Sequence, residues 1–138
     1  DLRYATSDAK LSIMEIRWGL IPDLAISVTA SNLLREDKLR ELAYTGRVVS
    51  GSEALEIGLV TAVHDDPLQA ARDTARLIAS RSPDAIRAMK TLFNDRRDLD
   101  AGRSLALEAK LQSGIMGQPN QMEAVHANIE GREPDFED

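Results

Sequence analysis

From Pro67 to Ile129 the apolar residues return at one helical period, whereas before Pro67 short β-type runs interrupt it. Leu68, Ala71, Ala75 and Ile78 form one stripe, Ile86, Met89 and Phe93 a second, and Met122, Val125 and Ile129 a third. Spacings of three and four residues place side chains on one helix face. The punctuation agrees. Ser82-Pro83-Asp84 is a cap followed by Pro at the first helical position, and Asp100 caps a helix running to about Gln112. Gly114 and Gly117 break that helix, and Pro119 opens the last one. The stripes are first of all core faces, so Met89, Phe93 and Met122 are expected to pack. Asp95-Arg96-Arg97-Asp98 is expected as a solvated helix end.

Upstream of Pro67 the text alternates. Leu2–Ala5, Lys10–Ile13 and Leu59–Val63 are short β-type runs bounded by turn residues. Leu24–Leu34 is long and apolar enough for a buried helix, although Ile26, Val28 and Thr29 are β-branched. Glu36–Thr45 is a clearer helix, with Leu39, Leu42 and Ala43 on one face and Gly46 where a left-handed C-cap belongs. Ser50 and Glu53 form a capping-box pair, and the short helix after them stops at Gly58. The expected class is therefore α/β, mixed in residues 1–64 and helical in 65–138, with no internal repeat and no low-complexity segment.

Composition narrows the functions. Hydrophobic residues are 43% and charged residues 29%, a globular balance rather than a disordered one. The net charge of −6 argues against a nucleic-acid partner, whose phosphates call for clustered Lys and Arg. With no Cys there is no disulfide, thiol nucleophile or thiolate metal site, and His64 and His126 stand far apart, near no motif of metal-ligand spacing. No apolar run approaches the roughly 20 residues of a membrane span. The expectation is a cytoplasmic protein without metal, nucleic acid or membrane. The chain opens at Asp1, in a strand-like run, so no leader can be judged from it.

The stretch with chemical potential is Ile13-Met14-Glu15-Ile16-Arg17-Trp18-Gly19-Leu20-Ile21-Pro22-Asp23. Glu15 and Asp23 lie eight positions apart, with apolar residues, a Gly and a Pro between them. A loop of that length can fold back so that both acids face one pocket. Two carboxylates tuned by burial can remove a proton at one carbon and return it at another. Two plainer readings stay open. Glu15 can be a solvated turn residue, and Asp23 can be the N-cap of the following helix.

Several short motifs, taken in order, resemble the crotonase family, also called the enoyl-CoA hydratase/isomerase family. They are Asp1-Leu2-Arg3-Tyr4-Ala5, Asp8-Ala9-Lys10-Leu11, Glu15-Ile16 and Gly19-Leu20-Ile21-Pro22. After them come Thr45-Gly46-Arg47-Val48-Val49-Ser50, Glu53-Ala54, Ile57-Gly58-Leu59-Val60 and the tail Gly131-Arg132-Glu133-Pro134-Asp135-Phe136. The resemblance implies the C-terminal part of a ββα spiral core over residues 1–64, and a helical oligomerisation region over 65–138. It also implies an upstream half carrying the oxyanion-hole N–H groups. The implied partners are an acyl-CoA substrate and copies of the same chain, as a trimer or hexamer. CoA is part of the substrate, and no separate cofactor is implied.

By the same resemblance Glu15 matches the second catalytic Glu of enoyl-CoA hydratases. Those enzymes usually have Gly at the position of Asp23, in a Gly-rich turn. Dienoyl-CoA isomerases instead have an acid eight residues after their Glu, as here. The implied roles are proton removal next to the thioester by Glu15, and delivery at the far end of the diene by Asp23. The residues after Asp23 match neither subgroup, so the pocket floor is expected to be unusual. Hydration of a 2-enoyl-CoA is the alternative and needs another Glu upstream. A non-catalytic acyl-CoA-binding homologue is the reading if the chain is natively truncated.

Overall fold

The computed structural model covers residues 1–138, all of them described except the side chain of Asp98. It divides into two compact units, Asp1–Arg72 and Asp73–Asp138. The chain passes from one to the other within a helix.

The first unit is an α/β arrangement of four short strands and three helices. The strands are β1 (Tyr4–Ala5), β2 (Lys10–Ser12), β3 (Val48–Ser50) and β4 (Ala62–Val63). β1 and β4 pair in parallel, Tyr4 opposite Ala62, whereas β2 and β3 pair antiparallel, Leu11 opposite Val49. The two-stranded sheets are thus one of each kind. The helices are α1 (Ile26–Thr29), α2 (Glu36–Thr45) and α3 (Gly51–Glu56).

α2 forms where expected. Gly46 closes it with φ 59°, and its N–H donates to Leu42 O at 2.9 Å. Leu42 and Val49, each 1% exposed, centre the core, together with Ile13, Leu34, Ala54 and Val60. At α3 half of the expected capping box is made. Ser50 Oγ accepts from Glu53 N at 3.1 Å. The Glu53 carboxylate turns away instead and pairs with Arg47 at 2.6 Å. Gly51 is required here, because a Cβ on it would lie 1.9 Å from Thr6 O.

The expected helix over Leu24–Leu34 is corrected. One helical turn, Ile26–Thr29, is followed by turns, with only Ala30 and Leu34 buried. Thr29 Oγ1 donates to Ala25 O at 3.0 Å and Ser31 Oγ to Val28 O at 2.9 Å. Such local side-chain bonds compete with helix continuation.

α4 (Pro67–Ala79) bridges the boundary, and its first turn is held by Asp66 Oδ1, which accepts from Gln69 N at 2.9 Å. The second unit continues with α5 (Pro83–Asp95), α6 (Ala101–Ile115) and α7 (Pro119–Glu130). Asp100 caps α6 as expected, accepting from Arg103 N at 2.8 Å. α6 outruns the expected end and takes Gly114 inside it; the break falls at Gly117, with φ 76°. After α5 a 3-10 turn spans Arg96–Asp98, and Arg96 lies over the Phe93 ring.

The expected packing of Met89, Phe93 and Met122 is also corrected. All three are exposed, Phe93 at 55%. The stripes are real and Ile86 is half-buried, but the side chains of Met89, Phe93 and Met122 stay exposed in the chain. Among the described residues no helix is long and apolar enough to cross a membrane.

The tail is strapped to α7. Arg132 donates to both oxygens of Glu123 at 2.5 and 3.0 Å, and Asp135 N donates to Glu123 Oε1 at 2.8 Å. Asn120, buried, donates to Asp84 Oδ2 and Glu137 O and accepts from Glu137 N. Arg132, then the Asp135 N–H, hold the Glu123 carboxyl down at about 2, from an ordinary 4.5. The folded value is depressed. The stability it contributes is therefore complete above 4.5 and lost as pH falls through about 2. Glu123→Gln should therefore lower stability at neutral pH, with the gap to the parent closing as pH falls from 4.5 towards 2. Urea melts across that range check this; a gap independent of pH would contradict it.

Candidate active site

β2 delivers the chain to the acid-bearing stretch. Ser12 is its last residue, and Ile13 is set into the core at 9% exposure. The next turn is a 3-10 turn, Glu15–Trp18, with Glu15 first. Its backbone is tied by Arg17 N to Met14 O (3.0 Å), Gly19 N to Ile16 O (3.0 Å) and Leu20 N to Glu15 O (3.1 Å). Gly19 ends it in the left-handed conformation, φ 70°.

Glu15 is half-buried, and its Oε2 atom is shut off from solvent without a hydrogen-bond partner. A fully solvated turn residue would not hide an oxygen in this way. That oxygen is left unsatisfied by the residues around it.

Asp23 is exposed, three residues before α1. It is not the N-cap. That position is Ala25, and no side chain makes a cap bond there. Among the described residues no hydrogen bond or ion pair engages Asp23. The helix-start explanation therefore does not account for this acid.

Ala25 itself is the one non-Gly residue at positive φ among the described residues, at φ 60° and ψ 22°. The backbone there has a conformation suited to Gly.

Ile13, at the start of the stretch, and Ile26, three residues beyond its end, line an apolar cavity of about 210 Å³, with Leu34, Leu42 and Val49 among the other walls. Ser12 is its polar residue, and the Ser12 hydroxyl donates to Gly46 O at 3.3 Å. In the sequence Gly46 reads as a helix cap and as part of the Thr45-Gly46-Arg47-Val48-Val49-Ser50 motif. Its contact with the Glu15 turn has no sequence signal beyond the Gly itself.

His64 meets the Tyr4 ring edge to face at 5.6 Å. Among the described residues no three His, Asp or Glu side chains are grouped as metal ligands would be.

The whole chain, residues 1–138, matches the enoyl-CoA hydratase/isomerase family profile. It is 28% identical over 134 residues to a short-chain-enoyl-CoA hydratase of Clostridium acetobutylicum, covering 96% of this chain and 51% of that protein. It is 31% identical over 139 residues to a mitochondrial Delta(3,5)-Delta(2,4)-dienoyl-CoA isomerase of Dictyostelium discoideum, covering 99% of this chain and 47% of that protein. Among solved structures, an enoyl-CoA hydratase from Bacillus anthracis superposes with a TM-score of 0.94 at 30% identity, over 99% of this chain and 54% of that one. The chain spans about half the length of the curated relatives it matches.

An L-residue in the left-handed region is disfavoured by roughly 1–2 kcal/mol, which Gly avoids. Gly also loosens the unfolded chain, at a cost of about 0.4–1 kcal/mol. Ala25→Gly should therefore leave thermal stability unchanged or raise it by up to about 1 kcal/mol, where an ordinary helical Ala→Gly loses about 0.5–1 kcal/mol. Thermal melts check this, and a loss above about 1 kcal/mol would contradict it.

Proposed function

The chain belongs to the enoyl-CoA hydratase/isomerase family, and we propose that Glu15 is the base that moves a proton next to the thioester of an acyl-CoA. The observation that carries this reading is Glu15 Oε2, buried and without a donor. A carbon acid beside a thioester becomes acidic only as its carbonyl oxygen gains negative charge. Donors aimed at that oxygen stabilise the enolate. We place those donors in the half of the relatives' length that this chain does not span. The step is then proton transfer alone. It needs no redox group, and CoA enters as part of the substrate.

Within that chemistry, isomerisation of a 3,5-dienoyl-CoA is the sharper reading. Moving two double bonds takes a proton off at one end of the conjugated system and puts one on at the other. That requires two carboxylates at opposite ends. Asp23 supports the second role because capping does not occupy it. Hydration of a 2-enoyl-CoA is the second reading, favoured by the exposure of Asp23 and by the hydratase names among the relatives. We further propose that the exposed stripes of α5, α6 and α7 meet copies of the same chain in a trimer or hexamer. Leu105 and Ile129 are two of the exposed residues on them.

In the full-length protein Glu15→Gln should lower turnover by about 10²–10⁴, the usual contribution of a general acid or base. Asp23→Asn should lower conversion of a 3,5-dienoyl-CoA by a similar factor while the melting temperature barely moves, because no cap bond is lost. Water addition to a 2-enoyl-CoA, measured in parallel, should change much less. If Asp23→Asn is silent on the diene and hydration is strong, isomerisation is wrong and hydration stands. If Glu15→Gln is silent on both substrates, the proposed base is wrong.

A further inference from the structure

Glu15 is the first residue of a turn only four residues long, and that turn rests on the end of α2. The contact is at Gly46. A Cβ built there would lie 2.9 Å from Ile16 Cγ2, 3.2 Å from Arg17 Cγ and 3.4 Å from Arg17 Nε. Arg17 is long and can yield. Ile16 cannot yield so easily. Its Cγ2 branches directly from Cβ, so it moves only with a χ1 rotation or with the backbone. Ile16 is the neighbour of Glu15 in the turn, and Gly19 N and Leu20 N bond the carbonyls of these two residues. A push that Ile16, 44% exposed, does not absorb by a χ1 rotation is passed through these bonds to Glu15.

Gly46 is fixed in its turn. Its N–H is bonded to Leu42 O at 2.9 Å, and its carbonyl accepts from Ser12 Oγ at 3.3 Å. Leu42 is core, and Ser12 is three residues before Glu15 on the same chain. Gly46 thus meets the Glu15 turn from both sides, through the hydroxyl before it and the Ile16 methyl after it.

We propose that Gly46 is a positioning residue for Glu15: its bare Cα is the seat for Ile16 Cγ2, and that contact sets where the Glu15 carboxylate stands. The inference rests on Glu15 as the base. Its consequence is kinetic, because a displacement of about 1 Å at a reacting group can cost about 10²-fold in rate.

The test is a double-mutant cycle in the full-length protein, assayed on a 3,5-dienoyl-CoA and on a 2-enoyl-CoA, with Glu15→Gln in the same assays. Gly46→Ala adds the Cβ but also strains the backbone, since φ is 59°. Gly46→Asn adds the same Cβ with less strain, because Asn visits the left-handed region more readily. Both should lower kcat by about 10–10²-fold with KM little changed. Ile16→Ala removes the opposing methyl. In that background the kcat loss from either Gly46 substitution should nearly vanish, while any loss of melting temperature caused by Gly46→Ala should persist. A merely structural role would move melting temperature and kcat together, with no rescue. An unchanged kcat in a folded Gly46→Asn, or an equal kcat loss in both backgrounds, overturns the inference while Glu15→Gln still lowers turnover by about 10²–10⁴. Full turnover in Glu15→Gln overturns the assignment of the base, and this inference with it.

Discussion

A carboxylate oxygen withdrawn from water without a donor costs roughly 1–3 kcal/mol, more when the group is charged. Residues 1–72 hold Glu15 Oε2 in that state. The turn cannot do this alone, because four residues of 3-10 helix have few bonds of their own. Its stability comes from its ends. Ile13 is locked into the core before it, Gly19 closes it in a left-handed conformation after it, and Gly46 stands beside it. Remove these and the carboxylate can turn out to water, where its oxygens find donors.

The surroundings of that seat are held by one cation. Arg47 follows Gly46 directly and pairs with Glu41 of α2 and Glu53 of α3, half-buried in each case. Its guanidinium is the first cause that holds the Glu41 and Glu53 carboxyls below their ordinary values, and they in turn raise Arg47. The pairs at the surface, Arg35 with Asp37 or Arg76 with Asp73, are of another kind. Exposed pairs are worth about 0–1 kcal/mol and order little. The Arg47 cluster instead ties the end of one helix to the start of the next, across the strand that pairs with β2.

Sequence reading recovered what is local. α2 and its Gly46 cap, the Ser50 and Asp100 caps and the Pro119 start all rest on residues whose backbone preference is their own. It failed where tertiary placement decides. Leu24–Leu34 has the length and apolarity of a buried helix, but Leu24 is 85% exposed, and Ala25 sits in a conformation no apolar pattern reports. The stripes at Met89, Phe93 and Met122 told of helices correctly, but not of what covers them. For the site, spacing could bring Glu15 and Asp23 under suspicion. It could not show that Glu15 hides an oxygen, or that Asp23 is no cap. Gly46 was legible as a terminus and illegible as a seat, because its neighbour Ile16 is thirty residues away in the chain.

The central claim is that the Glu15 carboxylate exchanges a proton with the carbon next to a thioester. The most direct measurement uses a saturated acyl-CoA, which can neither isomerise nor add water, incubated with the full-length protein in deuterium oxide. Proton NMR at that carbon then reports the transfer alone. The account predicts deuterium entry with the parent protein, near-complete loss of it in Glu15→Gln, and retention in Asp23→Asn. Exchange that persists in a folded Glu15→Gln would contradict it.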